Sequence, residues 1–227
     1  MRFLTYSIRQ KTTKNFFDSR AFRMGKRTVS VNDRARQMLA QEAARIIVEQ
    51  GIEDFRLAKN KAAERLGLTR RGSLPGNSEI EEAVSRHLQL FGRESHLNLL
   101  QSLRRAAISA MEILSPFSPR LVGPVLSGTA GATSAINLHV FADTPELIAI
   151  RLDQNELLYK SYERRLKSRR DRAETFAGYR FVHDESSIEA TIFPIDGMRQ
   201  APISPVDGKP MKRANKSAVL KLLDKDM

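Results

Sequence analysis

The hydrophobic pattern of the chain changes its period at Ser115–Pro119, a segment whose two prolines end any helix. Before this segment, apolar residues recur three and four positions apart, which is typical of amphipathic helices. After it, short apolar runs rich in Val, Ile and Phe alternate with small and polar turns, which is typical of strands. The sequence therefore predicts an α+β protein, with a helical domain over residues 32–115 and a small mixed or antiparallel sheet domain over residues 116–227.

Four helices are predicted in the first domain. The first ends at Gly51, the second spans residues 54–66, and the third begins with a capping box formed by Ser78 and Glu81. The fourth helix is the longest and ends before Pro116. Its predicted buried stripe consists of Leu100, Leu103, Ala107, Met111 and Leu114.

The second domain combines strands with two short helices. One helix is predicted to begin at Thr144, because Pro145 and an acidic residue follow this cap, and a last helix spans residues 215–223. Residues 157–170 fit either a strand or a helix. The predicted strands are 121–126 and 135–142, as an antiparallel pair, and 179–182 and 188–193, on either side of a polar turn.

The N-terminal segment, residues 1–31, is predicted to be a basic, unstructured arm. Residues 1–33 hold eight Lys or Arg and two Asp, which is half of the formal net charge of +12. Three explanations stay open: a nucleic-acid-binding arm, an organellar targeting sequence, or a start codon placed too early, with Met24 as the true first residue. We expect a cytoplasmic protein, with organellar import as the alternative.

Composition excludes several classes of protein. The sequence has no cysteine, which excludes disulfide frameworks, thiolate zinc sites, iron–sulfur clusters and cysteine nucleophiles. Residues 121–142 carry no Lys, Arg, Asp or Glu and are long enough for a membrane span. Their glycines, Pro124 and several Ser and Thr residues do not suit a helix in lipid, so no membrane partner is predicted.

Residues 117–195 resemble the nucleotidyltransferase superfamily of the polymerase-beta type. The resemblance is carried by a strand, a small-residue turn at Gly128, the segment Ser134–Leu138 that opens a second strand, a helix, and a later strand with Glu189. It implies a turn that holds a nucleotide phosphate, and acids on two strands that hold magnesium ions for phosphoryl transfer. Residues 34–223 also resemble bacterial proteins of no assigned activity.

The chain departs from this family where the metal acids are expected. Ala135 and Asn137 stand at the two aspartate positions, and Glu189 at the position of the third acid. No metal or cofactor is therefore predicted, and Mg²⁺ belongs only to an alternative in which the enzyme is active. The nucleotide-binding residues that the resemblance implies are Ser127, Gly128, Thr129 and Asn137.

His139 falls on the same side of its predicted strand as Asn137, and Glu189 is expected nearby. A cluster of these three residues suits one metal ion or an acid–base pair, and Glu189 and His139 are the candidate catalytic residues. The alternative is a partly buried histidine with one hydrogen bond.

A dense cluster of cations is the candidate nucleic-acid-binding surface. Aromatic residues flank this cluster at Tyr159, Tyr162, Phe176 and Tyr179, as in proteins that stack single-stranded bases. A solvated surface with no ligand is the alternative. The cluster consists of Arg164, Arg165, Lys167, Arg169, Arg170 and Arg172.

These features favour a nucleotidyltransferase-like protein that has lost its metal carboxylates and binds a nucleotide, RNA or DNA without catalysis. The first alternative is an active nucleotidyl-transferring enzyme with a divergent metal site. The second is an interaction module whose helical domain binds a protein partner.

Overall fold

The computed structural model describes residues 31–52, 54–68, 74–91, 93–169 and 172–225. Residues 1–30, which hold most of the predicted arm, lie outside the described residues. Within the described ranges, no helix combines the length and apolar character needed to cross a bilayer.

The first half of the chain forms the four predicted helices, α1 (Val31–Gln50), α2 (Phe55–Arg65), α3 (Asn77–Phe91) and α4 (Arg93–Ile113). The first three pack around a core of their own, in which seven alanines allow the helices to approach closely. Asp54 caps α2 by accepting hydrogen bonds from the backbone N–H groups of Arg56 and Leu57, at 2.7 and 3.3 Å.

The start of α3 differs from the predicted capping box. Helix α3 begins two residues earlier than Ser78 and Glu81 would place it, and the side chain of Glu79 accepts a hydrogen bond from the Gly76 N–H at 2.6 Å. Arg36 of α1 donates to the same carboxylate at 2.7 Å. A local hydrogen bond therefore caps this helix start, and the contact with α1 holds the capping carboxylate in place.

Helix α4 belongs to the core of the sheet. The predicted stripe on α4 is buried as expected, but it packs with the strands and with the later helices. The boundary expected at residue 115 therefore does not coincide with the division between the two hydrophobic cores, which falls between α3 and α4.

A five-stranded mixed sheet forms the second half, in the order β1-β2-β5-β4-β3. Strands β2 and β5 are parallel, and the other neighbouring pairs are antiparallel. The fold is therefore mixed α and β, as predicted. The strands are β1 (Arg120–Val122), β2 (Ile136–Phe141), β3 (Tyr159–Arg169), β4 (Arg172–His183) and β5 (Ser186–Phe193), and the helices of this half are α5 (Pro124–Ser127), α6 (Pro145–Gln154) and α7 (Lys216–Lys225).

Two sequence predictions in this half need correction or completion. The strand predicted at 121–126 ends at Val122, because Gly123 has φ 73° and ψ −154° and Pro124 then opens α5. The ambiguous residues 157–170 form β3, which pairs with β4 as a long hairpin. The strands predicted at 179–182 and 188–193 are confirmed within β4 and β5.

The two faces of the sheet have different chemistry. One face carries the apolar side chains of β2 and β5 and packs against α4, α6 and α7. Because side chains alternate along a strand, the intervening residues share the opposite face. We call this opposite face the polar face, and its central residues are Asn137, His139, Tyr162, Arg164, Gly178, Arg180, Glu189 and Thr191.

Candidate functional site

Strand register brings Asn137 and Glu189 together on the polar face. Glu189 pairs with Asn137 on its parallel neighbour β2 and with Arg180 on its antiparallel neighbour β4. Arg164 reaches the same point from β3, the strand beyond β4. Residues of β2, β3 and β4 therefore surround the buried carboxylate of Glu189.

Both oxygens of the Glu189 carboxylate are bound by guanidinium groups. Arg164 donates from one Nη to Oε2 and from its other Nη to Asn137 Oδ1, the latter at 2.7 Å. Arg180 donates to Oε1 from Nε at 2.8 Å and also from an Nη. The carboxylate side chain is only 6% exposed, so these two cations supply most of its polar environment.

This arrangement does not suit a divalent metal ion. Asn137 offers a neutral amide whose oxygen already accepts from Arg164, and Glu189 offers a carboxylate shared by two cations. A third cation placed here would face two positive charges and too few free oxygens. Within the described ranges, no three His, Asp or Glu residues form a group that could hold a metal.

The aromatic ring of Tyr162 packs against the guanidinium groups of Arg164 and Arg180. Its ring centroid lies 5.6 Å from the guanidinium carbon of Arg164 and 5.8 Å from that of Arg180. Its hydroxyl shares a 2.8 Å hydrogen bond with Thr191, and burial raises its pKa. Gly178 makes room for the ring, since a Cβ there would lie 2.5 Å from Tyr162 Cζ.

His139 belongs to a separate cluster. Its strand partner on β5 is Thr191, and its Nδ1 accepts a 3.0 Å hydrogen bond from Arg213 Nε. Since arginine only donates, the proton of the neutral ring is on Nε2. Burial, and then the charges of Arg213 and Arg164, lower its pKa to about 3. A neutral ring with so low a pKa is a poor general base, so this geometry does not support the predicted pairing of His139 with Glu189.

Arg213 fastens the segment after β5 onto the polar face. Its guanidinium lies 5.0 and 4.9 Å from the ring centroids of Phe141 and Phe193. It also donates to the Gly197 carbonyl at 2.8 Å, while its Nη2 is buried and has no hydrogen-bond partner among the described residues. Burial, and then the charge of Arg120, lower its pKa to about 10. Arg213 is therefore a structural cation of the loop over residues 194–214.

The predicted phosphate-binding turn is the C-terminal end of α5. The backbone N–H groups of Gly128 and Thr129 both donate to the Pro124 carbonyl, and that of Ser127 donates to Gly123. The Ser127 and Thr129 hydroxyls are 2.9 Å apart and bond to each other. The turn therefore differs from the phosphate-binding turn that the resemblance implies, because these three amides have internal acceptors.

The basic cluster is divided between the two faces of the β3–β4 hairpin. Arg164 lies on the polar face, whereas Arg165 and Lys167 lie on the opposite face, both exposed. Arg172 is exposed and pairs with Glu174 at 3.0 Å. Arg169 takes part in β3, and Arg170 lies outside the described residues.

The flanking aromatic residues have mostly internal roles. Tyr159 and Tyr179 pack edge to face at 4.9 Å and border the hydrophobic core. Tyr162 lies under the two arginines. Phe176 lines a cleft, and its ring centroid is 4.5 Å from that of Phe193.

That cleft lies between the hairpin and the loop after β5. It encloses about 210 Å³. Phe176 and Phe193 form its apolar part, Ser168 and Glu174 line it from the hairpin, and Asp196, Gln200 and loop residues line it from the other side.

Comparison with protein families, with curated proteins and with solved structures found no match to this chain.

Arg180 is the main site residue that sequence reasoning missed. Its position depends on the turn between β4 and β5, where Asp184 and Glu185 both have positive φ, 47° and 59°. A two-residue turn of this kind fixes the hairpin register and sets Arg180 opposite Glu189. The sequence prediction placed a longer turn at 183–187, which leaves that register undefined.

Proposed function

We propose that this protein binds single-stranded nucleic acid without catalysis, and that the β3–β4 hairpin provides the phosphate-contacting surface. The observation that carries the proposal is a set of exposed cations on this hairpin that form no ion pair with an acid in the described ranges. Lys160, Arg165 and Lys167 are all exposed, and none of the ion pairs among the described residues involves them.

The shape of the hairpin supports this role. Residues 172–177 of β4 pair with β3 but have no partner on β5, so the end of the hairpin extends beyond the rest of the sheet. Arg165 and Lys167 are two positions apart on one face, which separates their Cα atoms by about 7 Å along the strand. Such a row of cations on an extended ribbon suits successive phosphates of a flexible strand.

The polar face supports the absence of catalysis. Arg164 lies between Asn137 and Glu189, at the two positions where the resemblance implies metal ligands. A guanidinium there neutralises the remaining acid and contributes no metal chemistry. An active nucleotidyltransferase would need its acids elsewhere, and no observation on the described residues favours that alternative.

The proposal is tested by a salt titration of oligonucleotide binding with the full chain. For single strands, the logarithm of affinity falls with the logarithm of salt concentration by about 0.7 per phosphate contact. The variant Arg165→Ala/Lys167→Ala should therefore bind more weakly and reduce the slope by about 1.4.

The matched control is Lys221→Ala/Lys225→Ala. Both lysines are exposed and lie on α7, which packs at the β1 edge of the sheet, far in strand order from β3. The control removes the same charge and should leave the slope unchanged. Equal slopes for both variants and the unsubstituted protein would contradict the proposal, and metal-dependent transfer of label from a nucleoside triphosphate would favour the enzyme.

A further inference from the structure

The cleft beside Phe176 has features of a site for a single nucleobase. Its apolar part consists of two tilted phenylalanine rings, at an interplanar angle of 38°. Phe176 is half-buried, so part of its ring is open to the cleft. An aromatic ring beside a cationic ribbon is the usual platform on which a base of a single strand stacks.

The polar lining of the cleft selects the chemistry of the base. Glu174 and Asp196 are acceptors when ionised, and Glu174 is held in place by a hydrogen bond from Ser168 at 3.1 Å and by an ion pair with Arg172 at 3.0 Å. A carboxylate accepts a hydrogen bond from an exocyclic amino group, as in the recognition of cytosine N4. Uracil and thymine have no such group.

The size and position of the cleft limit what can enter. At about 210 Å³ it is smaller than the pockets that hold whole cofactors or drug-sized ligands, about 300–1,000 Å³, so it suits one base. Arg172 is paired with Glu174 at the edge of the cleft, so a phosphate next to that base would meet a cation.

We propose that this cleft receives one amino-bearing nucleobase of the bound strand, with Phe176 as the stacking surface and Glu174 and Asp196 as the acceptors. The inference rests on the proposed function, because the strand must first be held by the hairpin. It adds a base preference to a binding mode that the cations alone would leave independent of sequence.

The test compares oligonucleotides that differ by one amino group. The first pair consists of thymidine decamers with a single central base, either adenine or unsubstituted purine. The second pair has guanine or hypoxanthine at the same position. Binding of each decamer to the full chain is measured by fluorescence anisotropy. We expect the amino-bearing member of each pair to bind roughly five- to tenfold more tightly, as one hydrogen bond to a charged acceptor allows. This comparison needs no variant, so a folding defect cannot obscure it.

Variants then assign the effect to the cleft. Glu174→Gln/Asp196→Asn should reduce the preference to less than about twofold, since a neutral amide accepts the amino group more weakly. The control Glu163→Gln/Glu185→Gln changes the net charge equally at exposed positions outside the cleft and should retain the preference. Loss of the preference in both variants would overturn the assignment.

A third pair of variants tests stacking. Phe176→Leu should lower affinity about tenfold and leave the salt slope unchanged, because stacking releases no counterions. Phe117→Leu, at a half-buried ring that borders the core, is the control and should bind as the unsubstituted protein does.

The outcomes separate this inference from the proposed function. Equal affinity within both oligonucleotide pairs, with binding retained, would overturn the base cleft and leave nucleic-acid binding intact. Absence of binding to all the decamers would overturn the proposed function as well.

Discussion

The substitution Glu189→Gln tests the charge arrangement of the polar face. It leaves two guanidinium groups without the carboxylate that they share. Removing one partner of a buried ion pair costs about 3–5 kcal/mol. We reduce this figure because Arg164 and Arg180 are 30% and 56% exposed and keep part of their hydration. The expected loss in the free energy of unfolding is about 2 kcal/mol, or about 4–8 °C in melting temperature for a chain of this size.

The arginine variants should follow a definite order. Arg180→Gln leaves Glu189 with Arg164 and removes the more exposed partner, so we expect a loss below about 1 kcal/mol. Arg164→Gln also removes the hydrogen bond to Asn137 and should cost more. Urea unfolding followed by circular dichroism measures each variant, and a double-mutant cycle of Arg180 and Glu189 should give a coupling of about 1 kcal/mol.

The opposite result has a clear physical meaning. In a cluster of metal-binding carboxylates, removal of one acid relieves repulsion and stabilises the metal-free protein. If Glu189→Gln were as stable as the unsubstituted protein or more stable, the two guanidiniums could not be its main partners. A rise in melting temperature with MgCl₂ that depends on Glu189 would likewise refute the reasoning and support a metal site.

Two further predictions concern the same face. Gly178→Ala places a Cβ 2.5 Å from Tyr162 Cζ and 2.7 Å from the Ala190 carbonyl oxygen, so it should lower the free energy of unfolding in urea by about 2 kcal/mol or more. The control is Gly197→Ala, whose Cβ meets nothing closer than 3.5 Å, and its free energy of unfolding should change little. For His139, the pKa of about 3 lies below the unfolded value of 6.5, so only the unfolded state takes up the proton between these values. The free energy of unfolding should fall by about 1.4 kcal/mol per pH unit on acidification below pH ~6, and less steeply in His139→Gln. In NMR spectra, the ring resonances of His139 should not titrate from pH 8 to pH 5. A titration midpoint near 6.5 would contradict the burial of this ring.

Helices and strands with a strong local signal were predictable from the sequence. The stripe on α4 and the strands at 179–182 and 188–193 are examples, because one side of each element is buried and the pattern shows it. The elements that pack against α4 were not predictable from the sequence. An apolar stripe indicates that one side of a helix is buried, but it does not specify whether other helices or a sheet cover that side.

The candidate site was predictable only in part. Alternation along β2 and the later acid placed Asn137 and Glu189 on neighbouring strands, and the structure brings them together. Their partners Arg164 and Arg180 depend on the register of two hairpins, and β3 itself shows no clear apolar period. Burial alternates along β3, but its half-buried positions include the polar residues Arg164 and Ser168, so the sequence does not show this alternation and the pairing with β4 decides the conformation.

The strand conformation of β3 changes how its basic cluster must be tested. On a strand, neighbouring cations point to opposite faces, so Arg164 neutralises Glu189 while Arg165 and Lys167 remain free for a ligand. A variant that removes Arg164 together with Arg165 would therefore lose stability and phosphate contacts at once, and weak binding would have two explanations. Arg165→Ala/Lys167→Ala avoids this confusion, because it removes cations from the exposed face and leaves the buried carboxylate with both its partners.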